Sequence, residues 1–138
     1  MRKVAIALAA AALVGCSIFG GGGGPDPLAG WGGLWAGEYE GGGGGYGPLE
    51  VELSVDTAGL PAGVTRFDQG YGMEQHRLTN LYLTADSIVA EFSFEGMLAR
   101  ISGTREAEVA RGSYVVEEAG GGVMDSGSWR LTWQPPEQ

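Results

Sequence analysis

Cysteine, lysine and histidine each occur once in this chain, as Cys16, Lys3 and His76. A lone cysteine has no internal partner, so a disulfide framework is excluded. One histidine and one cysteine cannot supply the ligand set of a transition-metal site. Calcium needs clustered oxygen ligands. Neither Asp56-Thr57-Ala58-Gly59 nor Asp125-Ser126-Gly127 continues into the spacing of a calcium loop, so both read as Asx turns. A Ser-His-Asp site would have to run through His76 with a serine such as Ser87 or Ser113. The chain has no Gly-x-Ser-x-Gly elbow to support one. His76 lies beside Arg77 in a Gly/Gln/Glu-rich stretch, which predicts a surface loop or strand end. No catalytic residue, metal or cofactor is assigned, and the expectation is a protein that is not an enzyme. Glu50/Glu52 and Glu106/Glu108 each share a strand face, and they read as solvated faces rather than a glycosidase pair.

Long apolar runs are also missing, except at the start. Arg2 and Lys3 precede an apolar run from Val4 to Val14, which has the length of a secretory h-region and is too short to span a bilayer. The run closes on Leu13-Val14-Gly15-Cys16. This resembles the lipobox of bacterial lipoproteins. The resemblance implies cleavage between Gly15 and Cys16, a diacylglycerol on Cys16 and membrane attachment through its acyl chains. A plain secretory signal or an anchor helix are the alternatives. Ser17 rather than Asp follows the cysteine, which by the sorting rule of enteric bacteria favours the outer membrane.

Cleavage there leaves 123 of the 138 residues and takes away Arg2 and Lys3, moving the net charge from −9 to about −11. Every remaining basic residue is arginine: Arg66, Arg77, Arg100, Arg105, Arg111 and Arg130. An acidic, lysine-free body suits neither nucleic acid nor anionic headgroups, since both require cationic patches. Residues 16–33 read as a lipidated cysteine followed by a flexible tether, because Gly20 to Gly24, Pro25-Asp26-Pro27, Gly30, Gly32 and Gly33 cannot bury a core.

Over residues 34–134 the hydrophobic period is two. Leu49, Val51, Leu53 and Val55 alternate with Glu50, Glu52, Ser54 and Asp56, the cleanest half-buried strand. Similar patterns cover Trp35–Tyr39, Ile88–Phe94, Met97–Ile101, Val109–Val116 and Trp129–Trp133, with weaker strands at Gly63–Phe67 and His76–Leu83. Turn signals fall at Gly41–Gly45, Asp56–Gly59, Ala85–Ser87, Glu95-Gly96, Gly103–Glu106 and Gly120–Gly122. No segment carries a convincing helical moment. The prediction is an all-β, antiparallel up-and-down meander of about eight short strands. It should curl into a small barrel or half-barrel to hide its edges and apolar face, with a two-sheet β-sandwich as the alternative. Residues 135–138 form a short tail.

Gly33-Leu34-Trp35 resembles the Gly-x-Trp signature that opens lipocalin-type barrels, where the indole closes the bottom. Trp35-Ala36-Gly37, Leu49–Val55, Gly59, Leu81–Phe94 and Gly112-Ser113-Tyr114, with Gly127-Ser128-Trp129 repeating the last element, are similar to small lipocalin-like β-domains of bacterial exported proteins. The resemblance implies a fold and no activity.

Trp35, Phe92, Phe94, Met97 and Trp129 are the candidate lining of a ligand cavity. In so short a barrel, large side chains are expected to leave little empty space, whereas a ligand carrier keeps a cavity of about 300 Å³ or more. The stretch Phe67–Met73 is expected to be a long loop at the rim. The function expected is a lipid-anchored, non-catalytic binding or accessory module of the cell envelope. A carrier of a small apolar ligand, a partner of a cationic envelope protein, and an enzyme with a site at the barrel rim are alternatives. Lipid-anchored lysozyme inhibitors are small β-barrels of that compartment, but they carry a disulfide that this chain cannot form.

Overall fold

The computed structural model describes residues 25–136. The expected signal peptide, Gly15, Cys16 and the expected tether up to residue 24 lie outside the described residues. The described residues form nine strands: β1 (Gly33–Gly41), β2 (Tyr46–Val55), β3 (Pro61–Asp68), β4 (Met73–Arg77), β5 (Thr79–Leu83), β6 (Ser87–Phe94), β7 (Met97–Glu106), β8 (Val109–Glu118) and β9 (Val123–Gln134). They make one antiparallel sheet in the order β4-β3-β2-β1-β9-β8-β7-β6-β5. First and last strands pair with each other, Trp35 opposite Trp133, so the meander rolls into a nearly closed barrel rather than a sandwich.

Nine segments replace the expected eight because one strand changes partner. The stretch read as a single strand, His76–Leu83, starts at Met73 and breaks at Leu78. Its upper half pairs with β3, Val64 opposite Arg77, and its lower half with β6, Thr79 opposite Glu91. Leu78 turns into the core, and its N–H bonds the Gly63 carbonyl at 2.9 Å. Beyond it, Asn80 takes a left-handed φ of 47°, where the register with β6 shifts. Across the upper seam, His76 stacks on Phe67 and Phe92 at centroid distances of 5.5 and 5.9 Å. His76 is therefore at a strand end, as one of the two expected placements had it, and half-buried against aromatics rather than free in a loop.

Alternation sets the core. Leu49, Val51 and Leu53, then Ile88, Ala90, Phe92 and Phe94, point inward and are buried. The outward acids pair with arginines: Arg66 bridges Glu50 and Glu52 at 3.2 and 2.7 Å, and Arg100 bridges Glu91 and Glu117 at 3.0 and 2.8 Å. The Glu50/Glu52 pair is thus a cross-strand ion-pair ladder on the solvent face.

Three boundaries differ from expectation. Residues 25–33 are not all tether, since Leu28 and Trp31 are buried. A turn held by Asp26, whose carboxylate accepts from the N–H groups of Leu28 and Gly30, folds this segment across the barrel end. The strand β7 runs straight through Gly103–Glu106, and the chain reverses at Ala107-Glu108 instead. The rim loop between β3 and β4 is only Gln69–Gly72, because pairing begins at Met73. Glu95-Gly96 is the tight hairpin expected, with both φ values positive at 50° and 80°.

Candidate functional site

The two barrel ends differ. At one end, where the β2–β3, β5–β6 and β7–β8 turns lie, residues 25–32 fold against the β5–β6 turn and Arg105 of β7, and Trp31 closes the floor. Its ring lies 5.1 Å from that of Trp35, its Nε1 donates to the Thr84 carbonyl at 2.7 Å, and its own carbonyl accepts from Trp35 Nε1 at 2.8 Å. Arg105 stacks over the outer face of Trp31 at 5.1 Å and donates to the carbonyls of Ala29, Gly30 and Ala85. The indole N–H groups of Trp129 and Trp133 likewise reach the carbonyls of Ser113 and Gly32, so each of the four tryptophans is anchored to the backbone.

The opposite end, ringed by Gly42–Gly45, Gln69–Gly72, Glu95-Gly96 and residues 119–122, is open. It leads into a cavity of about 350 Å³. All five residues proposed from the sequence, Trp35, Phe92, Phe94, Met97 and Trp129, lie on its walls. Val51, Leu53, Phe67, Ile101 and Leu131 complete an apolar interior, and Thr65 uses its hydroxyl on the Glu50 carbonyl at 3.0 Å. The cavity is larger than the plugged interior expected, because small inward residues offset the rings. Ala90, Ala99 and Ala110 are buried, and Trp129 lies flat over Gly103 and Gly112, which are cross-strand neighbours. A Cβ at Gly103 or Gly112 would come within 2.5 or 2.6 Å of Trp129 Cζ2.

Polar groups gather at the mouth. Tyr39 and Tyr114 meet edge-to-face at 6.0 Å. Tyr39 donates its hydroxyl to the Asp68 carbonyl at 2.8 Å, and Tyr114 donates to Asp125 Oδ2 at 2.9 Å. Burial, then the hydrogen bond to Asp125 and its charge, hold the Tyr114 phenol well above its ordinary pKa of 10.0. Tyr39 is raised by burial and by the charges of Asp68, Asp125 and Glu74. Asp68 is held below the usual carboxylate range by the N–H groups of Gly70 and Gly72. Tyr46, Tyr71, Met73, Val123 and Met124 are exposed around this end.

Asp56 makes the expected Asx turn, accepting from Ala58 and Leu60. Asp125 does not. It belongs to β9, where the inward series Leu131, Trp129, Gly127 extends back to it. Carrying period two upstream from Trp129 finds this residue in the sequence. Trp31 is signalled only by its spacing of four from Trp35, and its glycine neighbours mask it. Among the described residues, no three His, Cys, Asp or Glu side chains converge as metal ligands. No protein-family model matches the chain, and no curated protein matches it either.

Proposed function

We propose that this protein is a lipid-anchored, non-catalytic module of the bacterial cell envelope that carries a small apolar ligand in the mouth of its barrel. The observation that carries the reading is the cavity: about 350 Å³, walled by aromatic and aliphatic side chains and open at one end. That volume falls in the range of small-molecule sites, which begins at about 300 Å³. An apolar cavity of about 150 Å³ already takes benzene, so the space here suits a ligand on the order of ten carbon atoms. The anchor is supported by Leu13-Val14-Gly15-Cys16 behind a charged start and an apolar run, and Ser17 favours the outer membrane.

The test is a fluorescence titration of the chain Ser17–Gln138 with N-phenyl-1-naphthylamine, which brightens on leaving water. All described core and hydrogen-bonding residues lie within this chain. Saturable one-to-one binding is expected. Ala99, buried on the cavity wall, gives the control. Ala99→Phe places a ring in the space and should weaken binding by about tenfold or more. Absence of saturable binding, or equal binding by Ala99→Phe, refutes the reading.

A further inference from the structure

The interior of the barrel is apolar, and its wall carries one formal charge. Of the residues lining the cavity, Asp125 alone has a charged side chain. Among the described residues no arginine lines it: Arg66 and Arg100 are committed to acids on the outer face, and Arg105 is spent on the closed end. Among the described residues, Asp125 forms no ion pair. Its described side-chain contact is the 2.9 Å bond accepted from Tyr114 by Oδ2. A carboxylate has about four acceptor sites, and this bond uses one of them. The surroundings reinforce its sign, since Asp68 and Glu74 act on Tyr39 together with Asp125. Tyr39, Tyr46 and Tyr114 present rings along the same stretch of wall. Aromatic faces attract cations and not anions.

An anionic amphiphile entering tail-first would bring its head against this carboxylate with no lining cation to offset it. A cationic head would meet a carboxylate and aromatic faces in partly dewatered surroundings, where charged hydrogen bonds are strongest. We propose that the ligand is an amphiphilic amine, with its apolar body in the barrel and its ammonium group against Asp125. This rests on the carrier reading above and specifies its ligand class.

The experiment is displacement of N-phenyl-1-naphthylamine from Ser17–Gln138 at pH 7 by three ten-carbon probes: n-decylammonium, 1-decanol and decanoate. Decylammonium is expected to bind about tenfold or more tightly than decanol, given the strength of charged over neutral hydrogen bonds, with decanoate weakest. Asp125→Asn keeps the shape and an acceptor for Tyr114. It should abolish the preference for the ammonium while leaving decanol within about twofold. Tyr114→Phe keeps the carboxylate and should keep the preference, which a merely structural Tyr114–Asp125 pair would not. Decanol or decanoate binding as tightly as decylammonium overturns the ligand class and leaves the carrier reading intact. Asp125→Asn weakening all three probes alike overturns the placement of the ammonium against Asp125, since it makes Asp125 structural, and also leaves the carrier reading intact. If neither the fluorophore nor any chain binds, the carrier reading fails and this inference with it.

Discussion

Replacing Trp31 by alanine removes the floor of the barrel. Trp31 is 1% exposed, packs on Trp35 at 5.1 Å and donates to the Thr84 carbonyl at 2.7 Å. A tryptophan buries at most about 250 Å². At about 25 cal/mol per Å², its transfer is worth up to roughly 6 kcal/mol. Measured tryptophan-to-alanine changes in cores cost about 3–5 kcal/mol, and the lower half of that range applies where the site can collapse. Here collapse is limited, because Arg105 and the Asp26 turn hold the segment from outside. The expected loss is therefore about 4–5 kcal/mol, equivalent to a fall in Tm of at least about 16 °C for a domain of this size. Urea unfolding followed by the fluorescence of Trp35, Trp129 and Trp133 reads it directly, with the m-value unchanged if only the native state is weakened. Trp31→Phe keeps most of the packing and loses the bond to Thr84, for about 1–2 kcal/mol. A loss below about 1 kcal/mol for Trp31→Ala would refute the reasoning, because residues 25–32 would then contribute no closure.

Further perturbations test the wall, the outer face and the anchor. Gly112→Ala should destabilise by about 1–3 kcal/mol in the same urea assay, since its Cβ would fall 2.6 Å from both Trp129 Cζ2 and Gly103 Cα. Glu91 is held below its ordinary pKa of 4.5 by the Asn80 amide and then by Arg100. A depressed folded-state value means that the stabilisation is complete above the unfolded value and is lost as pH falls through the folded one. Asn80→Ala should therefore raise the Glu91 pKa, read by NMR titration of its side-chain carboxyl, and shrink the stability difference between pH 7 and pH 3. Cys16→Ala should move the chain from the membrane to the soluble fraction on cell fractionation, and retention in the membrane would exclude the acyl anchor.

The architecture was legible where period two was unbroken. Leu49–Val55 and Ile88–Phe94 form half-buried strands, and the inward rings of the second, Phe92 and Phe94, are two of the five residues proposed for the cavity. What escaped the pattern had physical causes. Trp31 stands among Gly30, Gly32 and Gly33, which read as coil, yet it is fixed by contacts at positions far along the chain, Thr84 and Arg105. Asp125 opens the turn-like run Asp125-Ser126-Gly127 near the start of β9, so local turn propensity outweighed the alternation that places it on the inner wall. The break at Leu78 depends on which neighbour each half meets, β3 or β6, and no local signal encodes that. Emptiness of the interior is also a property of the closed barrel. It depends on how rings such as Trp129 fall across Gly103 and Gly112, which single strands do not reveal.

Native mass spectrometry of the mature chain, purified from its own envelope, tests the central claim most directly. A filled apolar cavity predicts a reproducible non-covalent added mass on the folded protein. That mass should be absent from Ala99→Phe produced in the same cells, and its identity names the ligand. A clean apo mass for the unsubstituted chain, or the same adduct on Ala99→Phe, would contradict a ligand held in the barrel.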